Sequence, residues 1–346
     1  MSGNDECPEM IGSYKVERPL GVGGMGHVYA ARHKSLNISV AIKVFHNDIL
    51  EKPSSAKRFI QEARLAASIE HINLVRVLEC GNDENDHPYY VMEMMASSIL
   101  HEMKRKGAYT ERVAIDIGES VARGLIEAHK HKIIHRDIKP DNIMISQDGV
   151  YKLCDLGLAK IIKDQDEFDA KLTVQGSGLG TPQFMAPEQA MDAASVDERA
   201  DIFSVGASLY FAVTGQKPFP DGDVRSILTY HMANGAPDPS KLKPELSRAF
   251  CDLVMKCMAV NMEERYSSAK ELKEALGQLR LAHHDSLKPI HFDTCVDITD
   301  SSVLELEKFA VKEETERNIT KVKKSGCLSL CVVGLILYST INFMLN

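Results

Sequence analysis

His135-Arg136-Asp137-Ile138-Lys139-Pro140-Asp141-Asn142, followed thirteen residues after its asparagine by Asp155-Leu156-Gly157, decides how this 346-residue chain is read. A carboxylate, a lysine and a primary amide stand within six residues, and a second carboxylate precedes a glycine. Phosphoryl transfer demands such a set. One carboxylate orients a hydroxyl and takes its proton, and a cation neutralises charge on the moving group. An amide oxygen and a second carboxylate hold magnesium.

Upstream, Gly21, Gly23 and Gly26 form GVGGMG, followed by Val28. Glycines let backbone amides approach nucleotide phosphates where side chains would obstruct them. Taken alone the spacing is weak, because dinucleotide-binding folds share it in the order strand, glycines, helix. Here a strand pattern, HVYAARH, follows, and then Ala41-Ile42-Lys43. That order favours a glycine-rich hairpin over a nucleotide, with Val28 and Ala41 as an apolar lid on the base. Lys43 sits in a β-branched run, and a buried lysine needs a partner or loses its charge.

Together these motifs resemble the eukaryotic-type (Hanks-type) protein serine/threonine kinases. GVGGMGHVY and MAPEQA look most like the bacterial membrane-anchored subgroup. The resemblance implies an α+β, two-lobed kinase fold over 14–280, with a β-rich N-lobe at 14–95 and a helical C-lobe at 96–280. It implies transfer of the γ-phosphate of ATP to Ser/Thr hydroxyls of proteins, with Mg2+, or Mn2+, as cofactor. Asp137 becomes the catalytic base and Lys139 the charge-neutralising residue. Asn142 and Asp155 become the metal ligands. Lys139 also points to serine/threonine rather than tyrosine specificity. ATP contacts fall to Gly21, Val22, Gly23, Gly26, Val28, Ala41, Lys43, Glu93, Met95 and Met144. Glu62, on a helical stretch, would pair with Lys43. Met92 would be the gatekeeper before a hinge at 93–95.

The same resemblance assigns an activation segment. Arg136 would meet a phosphate on Thr173 or Ser177, with Lys160 beside it, after autophosphorylation. Thr181 would bond near Asp137 and Lys139, Glu188 would pair with Arg265, and Asp201 would brace the catalytic loop. Three departures stand out. Asp-Leu-Gly replaces the usual Asp-Phe-Gly. The stretch ASSILH lacks the usual glycine-rich turn and acidic ribose contact. Ile99 and Phe211 fall where arginine-directed kinases carry acids. Cys154 should face the nucleotide pocket, mainly as a packing residue. Two other readings stay open: a scaffold that binds nucleotide or partners without catalysis, and a small-molecule phosphotransferase of related fold.

Periodicity agrees with two lobes. Strands are expected at Tyr14–Leu20, Val28–Arg32, Val40–Phe45, Leu74–Glu79 and Tyr89–Glu93, with a helix from Ser54 to Ile69. Apolar residues at 113, 117, 121, 125 and 128 predict a helix over Glu111–His131. Further helices are expected near 197–214, 223–234, 246–259 and 268–281.

A net charge of −8 argues against nucleic acid as a partner. The eight cysteines form no CxxC pair, so neither a zinc site nor a redox dithiol is expected. MSGNDECPEM has no basic patch or apolar run, and a cleaved signal peptide is not expected. Residues 281–326 read as a juxtamembrane linker. From 281 to 324 it mixes nine acidic with seven basic residues, a solvated composition, with a short amphipathic helix at Val303, Leu306, Phe309 and Ala310. Residues 327–345 contain no charge. As a helix they would span roughly 28 Å, near the hydrocarbon thickness of a bilayer. Lys321, Lys323 and Lys324 precede them and place that end in the cytosol. The expectation is a single-pass membrane protein with a cytoplasmic kinase domain and no extracellular sensor. A homodimer through the span stays open.

Overall fold

β-branched and aromatic residues recur in short runs over the first ninety-odd positions, and in the computed structural model these runs build an antiparallel sheet. The structure describes residues 7–23, 26–45, 66–84, 87–156, 182–191 and 196–286. Its strands are β1 (Met10–Ile11), β2 (Tyr14–Gly23), β3 (Gly26–His33), β4 (Ser39–Phe45), β5 (Val77–Asn82) and β6 (Pro88–Glu93), in the order β1-β2-β3-β4-β6-β5. Side chains alternate between the faces. Val40 and Ile42 join Tyr14, Ala31, Tyr89 and Val91 in one apolar cluster, so Ala41 and Lys43 point the other way, toward the cleft. Across the strand pair, Ala41 faces Met92 and Lys43 faces Tyr90.

Gly26 closes the hairpin of β2 and β3 with φ of 151°. A Cβ there would lie 1.9 Å from the Val44 carbonyl oxygen, so only glycine fits.

The strand expected at Leu74–Glu79 lies instead at Val77–Asn82. The backbone of 73–75 is used elsewhere. Val75 N–H donates to Leu153 O and Leu153 N–H to Asn73 O, each at 2.9 Å. Leu74 and Leu153 thus form an isolated parallel bridge. It links the sheet to the strand just ahead of Asp155.

Below the sheet come β7 (Ser97–Ser98), α1 (Ile99–Lys106), α2 (Glu111–Lys130), β8 (Ile143–Ile145), β9 (Tyr151–Leu153), α3 (Pro187–Met191), α4 (Arg199–Thr214), α5 (Val224–Asn234), α6 (Arg248–Cys257) and α7 (Ala269–Ser286). β7, β8 and β9 pair in that order. Helix α2 buries Ile117, Val121, Leu125 and Ala128, as its periodicity predicts. Helix α4 is buried from Ala200 to Tyr210 on every side, the behaviour of a helix apolar all round. It ends at Gly215, in left-handed backbone. At Gly206 a Cβ would come within 2.4 Å of Cys257 Cβ, so α4 and α6 touch almost backbone to backbone. Helix α7 continues past the expected stop at 281, because LAHHDS holds no glycine or proline to break it.

All described residues belong to one compact unit, which ends at Ser286. Among the described residues no helix is long and apolar enough to cross a membrane. The expected linker from 287, its amphipathic helix and the span at 327–345 lie outside them.

Candidate active site

The catalytic-loop motif is held from beneath by α4. Asp201, fully buried, accepts the backbone N–H of His135 at 2.9 Å and of Arg136 at 2.8 Å. His129 Nε2 reaches the same carboxylate at 2.8 Å. His135 is also fully buried. It meets the Cys154 carbonyl through Nε2 at 2.7 Å and accepts the Asp137 N–H at Nδ1 at 3.3 Å. Both bonds together require the proton on Nε2. The loop is thereby tied to the residue before Asp155.

Asp137 emerges half-exposed into the cleft. Lys139 Nζ donates to its Oδ2 at 2.8 Å. Asn142 Nδ2 donates to its carbonyl at 2.7 Å and to Oδ2 at 3.0 Å. Burial works against the Lys139 ammonium, but Asp137, with Asp141 and Asp155, outweighs it and raises the pKa.

Asp155 has φ of 61° and takes two partners from the sheet. Lys43 Nζ donates to Oδ2 at 2.7 Å, and the Tyr90 hydroxyl donates to Oδ1. Burial alone would raise the Asp155 pKa; the charge and hydrogen bond of Lys43, then Tyr90, overcome it and hold the carboxyl below its ordinary range. Burial, then the Asp155 charge, pushes the Tyr90 phenol well up, so it stays a donor. The Cys154 thiol is pushed up for the same two reasons, which disfavours a reactive thiolate.

The cleft between sheet and helices has a volume of about 670 Å³, within the range of small-molecule sites. Gly21, Val22, Gly26, Val28, Ala41 and Lys43 line it from above. Glu93, Met95 and Met144 line its back, and Asp137, Lys139, Asn142 and Asp155 its floor. Gly23 lies in β2 at the hairpin. A Cβ at Gly21 would meet no atom of the described residues within 4 Å, so their packing does not demand glycine there. Glu93 is tied down: Lys152 Nζ donates to its two oxygens at 2.7 and 2.9 Å, and Arg76 N–H to Oε1 at 2.8 Å. Those clamps, and Tyr90, are site features the motifs did not reveal.

The shelf beyond the cleft is equally braced. Glu188 and Arg265 form a buried bidentate pair at 2.7 and 2.9 Å. Gln189 Nε2 donates to the Arg136 carbonyl at 2.8 Å. Phe184 packs edge-on against Phe211, with centroids 5.9 Å apart. Arg136 Nε is buried and has no hydrogen-bond partner among the described residues. Glu62, Lys160, Thr173, Ser177 and Thr181 lie outside the described residues.

Among the described residues no cluster of three or more His, Cys, Asp or Glu could hold a metal alone. Asp155 and Asn142 offer two hard oxygen ligands on the cleft floor. That donor set suits magnesium completed by phosphate oxygens and water.

A glycine hairpin over a cleft floored by such groups, with a β-rich lobe above a helical one, defines the class of two-lobed phosphotransferases. The protein kinase domain family matches residues 14–276, and the chain belongs to that family. It is 38% identical over 273 residues to serine/threonine-protein kinase pkn2 of Myxococcus xanthus, covering 77% of this chain and 32% of that protein. With serine/threonine-protein kinase PknB of Mycobacterium tuberculosis it shares 36% over 267 residues, covering 76% and 42%. The chain thus spans less than half the length of either relative. The crystal structure of the Mycobacterium tuberculosis PknI kinase domain superposes with a TM-score of 0.61 at 22% identity, covering 78% of this chain and 96% of that one. That likeness concerns the fold.

Proposed function

We propose that this chain transfers the γ-phosphate of ATP to serine and threonine hydroxyls of proteins. One observation carries the reading: Lys43, the catalytic-loop residues Asp137, Lys139 and Asn142, and Asp155 come from three stretches of sequence and meet around one cleft. Asp137 orients the hydroxyl and accepts its proton. Lys139, already bonded to Asp137, lies where it neutralises charge on the moving phosphoryl group. Lys43 exchanges Asp155 for phosphate oxygens. Asn142 and Asp155 would hold Mg2+, which would screen the phosphate charge. The glycines of β2 and β3 cover the phosphates. Positioning and electrostatics supply the acceleration.

Ile99 is buried at the start of α1 and Phe211 packs on Phe184. Neither position offers the acid that a basic substrate needs, which supports substrates without strong basic preference. Arg136 Nε, buried and without a hydrogen-bond partner among the described residues, supports a phosphate-dependent activation segment, with autophosphorylation at Thr173 or Ser177. Residues 327–345, uncharged and preceded by three lysines, support a membrane helix with the kinase region on the cytoplasmic side.

The test is phosphate incorporation from Mg-ATP by the full chain beside Asp137→Asn, with modified sites mapped by mass spectrometry. Incorporation only in the unmutated protein is expected, with Thr173 or Ser177 among the sites. Nucleotide binding without any transfer would defeat the catalytic reading and favour a scaffold. Carbonate extraction checks the anchor, which fails if the full chain leaves the membrane pellet.

A further inference from the structure

Two side chains from adjacent strands converge on one carboxylate. Lys43 on β4 and Tyr90 on β6 face each other across the strand pair and share one face of the sheet. Both reach Asp155, Lys43 at Oδ2 and Tyr90 at Oδ1. They approach from different sides. Lys43 lies in the cleft. Tyr90 is 2% exposed and lines a small cavity behind Met92, together with Val77 and Leu156.

We propose that Tyr90 is a positioning residue for metal binding, its hydroxyl fixing the orientation in which the Asp155 carboxylate faces the cleft. The inference rests on the reading of Asp155 as a metal ligand. Lys43 cannot do this work throughout the reaction, because arriving phosphates give its ammonium new anionic partners. Tyr90 is enclosed and keeps its bond to Oδ1. The carboxylate therefore stays oriented when its cation turns away. The local sequence adds a reason for needing such a hold. Leu156 follows Asp155 where a phenylalanine would fill more of the same cavity, and the Tyr90 ring stands across it.

The test compares the full chain with Tyr90→Phe, which removes one oxygen and keeps the ring. Binding of a non-hydrolysable ATP analogue is measured by calorimetry without metal and over a series of Mg2+ concentrations. Val77→Ala, on the same cavity wall, controls for packing. The unmutated protein should bind the analogue more tightly as Mg2+ rises. In Tyr90→Phe the Mg2+ concentration giving half of that tightening should rise about fivefold or more, the order expected when a hydrogen bond to a charged group is lost. Metal-free affinity should stay within about twofold, since the hydroxyl lies outside the nucleotide cleft. Val77→Ala should leave the Mg2+ midpoint in place.

Superimposable Mg2+ titrations for the unmutated protein and Tyr90→Phe would overturn the proposal. An equal shift in Val77→Ala would do so too, by assigning the effect to packing. Loss of the cooperative melting transition in Tyr90→Phe would assign the hydroxyl to folding. If the unmutated protein showed no Mg2+-dependent tightening, the metal-ligand reading would fall and this proposal with it.

Discussion

The backbone N–H of Arg136 donates to Asp201 Oδ1 at 2.8 Å, although Arg136 has a φ of 65°. Left-handed backbone costs a non-glycine residue about 1–3 kcal/mol. A hydrogen bond to a buried carboxylate returns about 1.5–3 kcal/mol, and Asp201 supplies two to the same loop. The strained turn that presents Asp137 therefore depends on a residue in α4, outside the cleft.

Asp201→Asn should cost about 3 kcal/mol in urea unfolding, because an amide NH2 replaces one acceptor. The phosphate-transfer rate should fall more than tenfold while the nucleotide dissociation constant moves less than about threefold. A rate close to that of the unmutated protein would separate Asp201 from the loop.

Glu188 and Arg265 offer a sharper stability test. Arg265 also donates to the carbonyls of Ala259 and Arg199, at 2.9 and 3.1 Å. Glu188→Leu leaves its guanidinium buried without a counter-charge and should cost about 3–5 kcal/mol. Adding Arg265→Met removes the stranded charge, so the double variant should be less than additive. Independent effects in a double-mutant cycle would refute this coupling.

Gly206→Ala sets two known effects against each other. Alanine gains about 1 kcal/mol in helix propensity. The new Cβ meets Cys257 Cβ at 2.4 Å, an overpacking worth about 1–3 kcal/mol against it. Thermal melting should show net destabilisation; an unchanged or raised melting temperature would mean that α4 and α6 separate easily.

Acid stability follows from Asp155. Its folded pKa lies below the unfolded value. Its contribution is therefore fully present above the ordinary carboxylate range and is lost as pH falls through the folded pKa. Asp155→Asn should begin less stable at neutral pH, since Lys43 loses its partner. Its stability should then decline less steeply between about pH 5 and 3. Parallel acid limbs in urea titrations would contradict the shift.

The two lobes could be read from residue order because strand and helix periodicities separate cleanly near residue 95. Glu188 and Arg265, 77 positions apart, were paired only through the motif that each belongs to. PYYVME reads only as an apolar strand, and nothing local shows that the Tyr90 phenol reaches a carboxylate 65 residues away. Leu74-Val75-Arg76-Val77 reads as the start of β5, ahead of its actual start at Val77, because three of its four residues are apolar. Only the distant backbone of Leu153 decides that its first part pairs elsewhere. Glu62, the helix partner expected for Lys43, lies outside the described residues, and among these Lys43 pairs with Asp155.

The bridge between Leu74 and Leu153 also constrains how the molecule can breathe. Val75 and Leu153 are joined to the opposite backbone by 2.9 Å bonds, and Asn73 Nδ2 adds another to the Tyr151 carbonyl at 2.8 Å. Separating the sheet from the helical part at this point would rupture all three, so these bonds oppose it. Asp155 stands two residues beyond Leu153 and so inherits the anchorage of that strand.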